Sequence, residues 1–257
     1  PVEGARCMIV DSTARALLDI AGYYRSKFDV KVVGVTGSVG KTTTKDMIAL
    51  VVAQKYKTLK TQGNHNNEIG MPQTLFGLDS SYEAAVIEMG MSHQGEISRM
   101  SMSCQPDVAV ITNIGISHIE NLGTQENILK AKLEILDGAA YDAPLILCRD
   151  DKLLAGVQLH SDRKVYYYSV SKKDCDVYAS GVKTVDNSIT FTINYEGGKI
   201  AAQINCLGEH NVKNALAAFC VGLALDIPPE DIVKGIAQFK PEGLRQNVTV
   251  IDGNILS

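Results

Sequence analysis

Val32-Val-Gly-Val-Thr-Gly-Ser-Val-Gly-Lys-Thr-Thr43 decides the fold of this chain. The β-branched residues Val32, Val33 and Val35 run into a glycine-rich turn, and Asp46-Met-Ile-Ala-Leu-Val-Val52 follows at helical length. A buried strand, a glycine turn and a helix opening on Lys41, Thr42 and Thr43 make a phosphate cradle. Backbone N–H groups of the turn and the positive end of the helix face an anion. Lys41 adds a full charge, and the Thr42 hydroxyl is placed to ligate Mg²⁺ on a nucleotide. The candidate nucleotide-binding segment is therefore Thr36, Gly37, Ser38, Val39, Gly40, Lys41, Thr42 and Thr43.

The general phosphate-loop pattern has a glycine five residues before Gly40, where this chain has Val35. The shorter pattern G-x-x-G-K-[ST] arises by accident in roughly one chain in a hundred of this length. The letters alone thus leave open a glycine turn carrying a surface lysine; the strand before it and the helix after it argue for the cradle.

Working outward, short β-rich runs alternate with helical stretches. The predicted strands are Lys31–Thr36, Lys55–Lys60, Ala84–Met89, Val108–Asn113 and Ala143–Cys148, and the predicted helices are Lys41–Gln54, Gln94–Met102 and Gln125–Leu136. Such alternation implies an α/β fold, a mostly parallel sheet flanked by helices. Ligands of these sheets sit beyond the strand C-termini, so the loops after Val35, Met89 and Asn113 carry the interest. Before this unit, Asp11–Tyr24 has an N-cap and helical apolar spacing. After it, residues 164–206 read as a smaller antiparallel subsection, with strands at Val165–Tyr168, Asp176–Val185, Ser188–Asn194 and Lys199–Cys206 and a hairpin turn at Tyr195–Lys199. Helices then open at Gly208 and at Pro228-Pro229, where prolines cost little.

The chain has 257 residues, 45% of them hydrophobic, and a net charge of −4. That size supports one large core or one and a half domains. The acidic balance and the absence of a basic stripe argue against nucleic acid as a partner. Apolar runs such as Pro144–Cys148 are too short to enter a bilayer as a span, and Pro1-Val-Glu-Gly lacks the features of a signal peptide. Six cysteines without a C-x-x-C pair read as buried free thiols of a cytoplasmic protein. The start at Pro1 and the stop just after strand-like Val248–Ile251 suggest an excised piece.

Several side chains have chemical potential. Glu88 ends a buried strand in a phosphate-loop fold, where a carboxylate holds Mg²⁺ or merely caps a loop. His118, with Glu120, follows another strand end and is either a divalent-cation ligand or a surface residue. Lys132 lies on a helix beside the solvated Lys130, and nothing in the residues singles it out. Asn64, His65, Asn66 and Asn67 sit between two glycines and suit either a phosphate or carbohydrate contact or ordinary turn chemistry. His210, Asn211 and Asn214 start a helix, where capping is the plainer account.

Taken together, the letters resemble the Mur ligases, ATP-dependent enzymes that build the peptidoglycan stem peptide. The resemblance rests on Thr36–Thr43, on Gly63-Asn-His-Asn-Asn-Glu-Ile-Gly-Met-Pro-Gln-Thr-Leu75, on Asn113-Ile-Gly-Ile-Ser-His-Ile-Glu-Asn-Leu-Gly123 with Ala131-Lys-Leu-Glu134, and on His210-Asn-Val-Lys-Asn-Ala-Leu-Ala-Ala218. The shorter phosphate-loop signature fits as well. The resemblance implies ATP as nucleotide and two Mg²⁺ ions, with Thr42, Glu88, His118 and Lys132 on the metal side and a carbamate on Lys132. It implies Lys41, Glu88, His118 and Lys132 as the catalytic set. His210, Asn211 and Asn214 would lie on the adenine side, Arg245 would reach the phosphates, and Asn64 and Asn67 would face the muramoyl-peptide.

The implied reaction is amide synthesis through an acyl phosphate, with a UDP-muramoyl-tripeptide and D-Ala-D-Ala as small-molecule substrates of a cytoplasmic monomer. The implied layout is the tail of an N-terminal domain over 1–29, the ATP-binding domain over 30–240, and the start of a linker to a C-terminal domain over 241–257. The piece alone is then expected to be inactive. The alternatives are another ligase of the superfamily, such as a folylpolyglutamate synthase, or a phosphate-loop NTPase that is not a ligase.

Overall fold

The computed structural model describes residues 6–159, 162–241, 249–251 and 254–256. Its centre is β1 (Lys31–Thr36), whose five residues after Lys31 are all buried. A strand apolar on both faces belongs inside a parallel sheet covered on both sides, and β1 indeed pairs in parallel with β3 (Ala84–Glu88) and β4 (Val108–Ile111). The nine-stranded order is β2-β3-β1-β4-β5-β6-β7-β8-β9, with β2 at Thr58–Lys60, β5 at Leu145–Cys148, β6 at Val165–Ser169, β7 at Val177–Val185, β8 at Ser188–Tyr195 and β9 at Gly198–Ile204. A two-stranded hairpin joins β10 (Thr249–Ile251) to β11 (Asn254–Leu256).

The α/β reading holds, with two corrections in the second half. The antiparallel region is the outer end of the same sheet, and β6 runs parallel to β5. Strand β7 also pairs in parallel with β6, through Tyr168↔Val177 and Ser169↔Tyr178 alone. So small an overlap needs no long crossover: residues 170–176 turn the chain back, and the Asp176 carboxylate accepts the Tyr167 N–H at 2.8 Å. Among the described residues of the nine-stranded sheet, only β7–β8 and β8–β9 are antiparallel, the latter closing at Tyr195↔Gly198 where the hairpin was expected.

The predicted strands shrink at their ends. Residues 53–57 finish the turn after α2 (Lys41–Val52) before β2 begins, and the loops after β3 and β4 leave the ladder one and two residues early. Helix α4 (Glu96–Cys104) starts later and runs further than its prediction, and α6 (Gln125–Leu133) tightens into a 3-10 turn over Glu134–Leu136. Two short helices lie where only loops were expected, α3 (Gly70–Leu75) and α5 (Ile119–Leu122).

Helix α1 (Thr13–Arg25) is capped by Ser12, whose Oγ accepts the Arg15 N–H. It packs on α3 and α4, and the Arg25 guanidinium donates to the carbonyls of Cys104 and Val30. On the other side, α7 (Glu209–Ala224) is buried almost all round. It is sandwiched between α2, α8 (Pro229–Ala237) and strands β5–β7. The thiols divide: Cys104, Cys148, Cys206 and Cys220 are buried, while Cys7 is exposed and Cys175 half-buried, against the expectation that all six are buried. Among the described residues, no helix is long and apolar enough to cross a membrane.

Candidate functional site

Because β1 lies between β3 and β4 and all three run parallel, the loops leaving their C-terminal ends converge. The turn after β1 and the end of β3 border a crevice of about 870 Å³. Its lining includes residues 38–43, Lys45 and Asp46 of α2, Lys60, Gln62 to Asn64, Asn66, Glu88, and His210, Asn211 and Asn214 at the start of α7.

The glycine turn is held open by its neighbours. Gly37 has φ +153°, and a Cβ there would collide with the Thr112 hydroxyl, so no other residue fits. Gly40 is left-handed at φ 77° and opens α2 with no side-chain cap. The loop after β4 clasps the turn. Asn113 accepts the Val39 N–H at 3.0 Å and donates to the Val39 carbonyl at 2.8 Å, and Thr112 Oγ1 donates to that carbonyl at 2.9 Å. Ser38 N–H donates to the Asn113 carbonyl at 3.1 Å, and Gly115 N–H to Ser38 Oγ at 2.8 Å. The N–H groups of Ser38 and Val39 are therefore committed to holding the loop's shape. Those of Gly40 to Thr43, at the uncapped helix start, are the ones placed for an anion. Thr36 is fully buried at the end of β1, its Oγ1 without a hydrogen-bond partner among the described residues, and does not line the crevice.

Lys41 folds back over the turn, its Nζ 3.0 Å from the Gly37 carbonyl and 3.5 Å from that of Ser38. Burial pulls its pKa down, and the Glu88 carboxylate opposes the shift. Glu88 is 1% exposed. Its Oε1 accepts Thr42 Oγ1 at 3.3 Å and Asn66 Nδ2 at 2.7 Å, while the buried Oε2 has no partner among the described residues. An unpaired buried carboxylate oxygen is costly. A carboxylate and a hydroxyl are the hard oxygen donors that suit Mg²⁺, so the residues present fit that ion.

Lys132 is only 2% exposed, on the inner face of α6. Its pKa is pushed down to about 7, by burial first and by the Lys41 charge second. Residue type alone did not separate it from Lys130; the structure buries one and exposes the other. His118 stands at the start of α5 with φ 64°. It is half-buried on the loop adjoining the phosphate loop, does not line the crevice, and makes no side-chain hydrogen bond among the described residues.

On the far side of the crevice, Asn64 is exposed and lines it. Asn67 does not. Its Oδ1 accepts the N–H groups of Ile69 and Gly70 and so starts α3, and Asn66 is the amide that turns inward. Asn214 Oδ1 accepts Thr44 Oγ1 at 3.0 Å, and its Nδ2 donates to Asn211 Oδ1, fastening α7 to α2 beneath the phosphate loop. His210 is exposed at the crevice edge. Arg245 lies outside the described residues. Sequence reasoning gave no role to Asn113, Thr61 or Lys45, and to Asn66 only that of one loop amide among several. Two of them are polar residues at strand ends, a position that in such a sheet is itself a signal.

Residues 35–222 match the Mur ligase middle domain. The UDP-N-acetylmuramoyl-tripeptide–D-alanyl-D-alanine ligase of Bacillus subtilis is 41% identical over 255 residues, covering 99% of this chain and 54% of that protein. The crystal structure of MurF from Acinetobacter baumannii superposes with a TM-score of 0.90 at 34% identity, covering 96% of this chain and 55% of that one. The MurF ligase of Thermotoga maritima, solved in complex with ADP, superposes with a TM-score of 0.86 at 27% identity, covering 99% of this chain and 59% of that one. The chain thus spans about half the length of the relatives it matches.

Proposed function

We propose, since this chain belongs to the Mur ligase family, that it is the ATP-binding core of a ligase joining D-Ala-D-Ala to a UDP-N-acetylmuramoyl-tripeptide. The observation that carries the reading is the buried Glu88 carboxylate, with one oxygen unpartnered among the described residues and the other 3.3 Å from the first-turn Thr42 hydroxyl of the phosphate loop. The likeness to named ligases supports it over a folylpolyglutamate synthase or a nucleotide switch. On this reading residues 30–240 are the central domain, residues 1–29 and 241–257 are its junctions with flanking domains, and the enzyme is a cytoplasmic monomer.

In the reaction the tripeptide's terminal carboxylate attacks the γ-phosphorus of ATP, the bond to the β-phosphate oxygen breaks, and ADP leaves. The amine of D-Ala-D-Ala then attacks the acyl phosphate carbon; the C–O bond breaks, phosphate leaves, and the nitrogen gives up a proton. Bringing a carboxylate against a triphosphate is electrostatically unfavourable, so cationic groups must be in place beforehand. The N–H groups of Gly40 to Thr43 and the Lys41 ammonium meet the phosphates. Magnesium, when bound, neutralises phosphate charge and orients the reacting oxygens. Thr42 and Glu88 would hold one ion, and Glu88, His118 and Lys132 a second.

Lys132 can serve there only after a change of charge. With a pKa of about 7, much of it is the neutral amine at neutral pH, the form that adds CO₂ to give a carbamate and a proton. That step replaces a buried cation near Lys41 with an anion offering ligand oxygens. Asn64 is placed to meet the muramoyl-peptide, and His210, Asn211 and Asn214 lie at the base side of the nucleotide.

The test uses the full-length protein with ATP and UDP-muramoyl-tripeptide, with and without D-Ala-D-Ala. The expected result is ADP and a new amide product only when both acceptor and donor are present. Phosphate release indifferent to the tripeptide would overturn the ligase reading in favour of a nucleotide switch.

A further inference from the structure

We propose that Lys45 is a positioning residue for the magnesium carboxylate, acting on Glu88 through Thr61; this rests on the role given to Glu88 above. Lys45 lies one helical turn beyond Lys41 on α2 and is 2% exposed, a setting that an ammonium tolerates only when fully paired. Its Nζ donates to the Thr61 carbonyl at 2.8 Å and lies 3.2 Å from Asp46 Oδ1. The same Asp46 oxygen takes Lys60 Nζ at 2.7 Å. Asp46 thus shares one negative charge between two ammonium groups, and the Lys45 ammonium is turned to a backbone carbonyl, with nothing in the proposed chemistry requiring it.

What Thr61 does gives the arrangement its purpose. Thr61 is fully buried just past β2, an edge strand of three residues. Its N–H donates to the Val86 carbonyl at 3.0 Å, and its Oγ1 accepts the Glu88 N–H at 3.0 Å. Glu88 is therefore referenced to α2 twice. Thr42 meets its carboxylate directly, and Lys45, three residues later, meets its backbone through Thr61. A short edge strand alone holds Thr61 weakly; the lysine pins it to the helix that also carries the phosphate loop. Partners behind a metal ligand fix its orientation, and their loss costs about 10–100-fold in metal affinity.

The test uses the full-length enzyme, with Mn²⁺ as a spin probe titrated in the presence of a nonhydrolysable ATP analogue. Lys45→Met and Thr61→Val should each weaken Mn²⁺ binding by about tenfold, and Thr61→Val, at a residue outside the crevice lining, should leave metal-free nucleotide affinity unchanged. Lys45→Arg should recover part of the loss. The double variant should be no weaker than the worse single one, because both break the same chain of contacts. In turnover, the loss should appear as a raised Mg²⁺ requirement that excess Mg²⁺ overcomes. Thr61→Val removes a single oxygen, so it stands if Lys45→Met fails to fold. Wild-type Mn²⁺ affinity in Thr61→Val, or losses that add in the double variant, would overturn the positioning role. Failure of the wild-type enzyme to bind Mn²⁺ with nucleotide would instead remove the proposed function.

Discussion

Replacing Lys132 with Met should stabilise the protein in the absence of ligands, and by an amount that depends on pH in a fixed direction. The folded-state pKa is about 7 against 10.5 for the free side chain, through burial and then Lys41. Between those values the unfolded chain binds more protons than the folded one, so stability rises with pH across that window. Above it the amine is neutral in both states and no penalty exists. The penalty grows as pH falls and levels off below the folded pKa. Integrated from the two pKa values, it is about 2 kcal/mol at pH 9 and between about 4 and 5 kcal/mol at pH 6. Met keeps most of the side-chain volume and carries no charge. The margin of Lys132→Met over wild type should therefore be larger at pH 6 than at pH 9 by about 2–3 kcal/mol.

The assay is urea unfolding at both pH values in CO₂-free buffer without nucleotide or divalent metal. Comparing margins cancels the groups that titrate alike in both proteins. A margin that is flat with pH, or that shrinks toward pH 6, would refute the claim that a desolvated ammonium sits at this position. Adding bicarbonate should then change wild-type stability at pH 8 and leave the variant untouched.

Three further outcomes follow from the site and the core. Lys41→Ala should abolish ATP-dependent turnover in the full-length enzyme with secondary structure intact by circular dichroism; residual ligation would count against the phosphate-loop assignment. Asn113→Ala removes both hydrogen bonds to the Val39 backbone; it should cost about 1 kcal/mol in urea unfolding and weaken ADP binding by calorimetry, and intact ADP affinity would show that the clasp is not needed. In native protein at pH 8, a chromogenic disulfide reagent should label the exposed Cys7 first and Cys175 slowly. Cys104, whose thiol burial pushes up to about 12, should react only after unfolding, as should Cys148, Cys206 and Cys220.

The centre of the sheet was legible because β1, β3 and β4 are apolar on both faces and each is followed by a helix, so composition, order and direction all agree. Pairing in the second half was not, since the letters of β6 and β7 mark extended chain without naming a neighbour. A seven-residue return loop is allowed only because the overlap is two residues long. The fate of Asn66 and Asn67 turned on one residue of phase in a tight loop, which no pattern of Asn and Gly specifies. The two buried lysines are a different case, because their signal was present. Along α6 the apolar stripe runs Ile128, Ala131, Ile135, and Lys132 stands on it, whereas Lys130 falls outside. Along α2 it runs Ile48, Ala49, Val52, and Lys45 stands three, four and seven residues before them. A lysine in register with a core stripe must either reach the surface along its stem or be paid for by a partner inside. In a chain whose strand ends already gather phosphate-binding groups, the inside partner is the expectation. Such a break in amphipathic phase therefore marks a site residue where the identity of the residue alone does not.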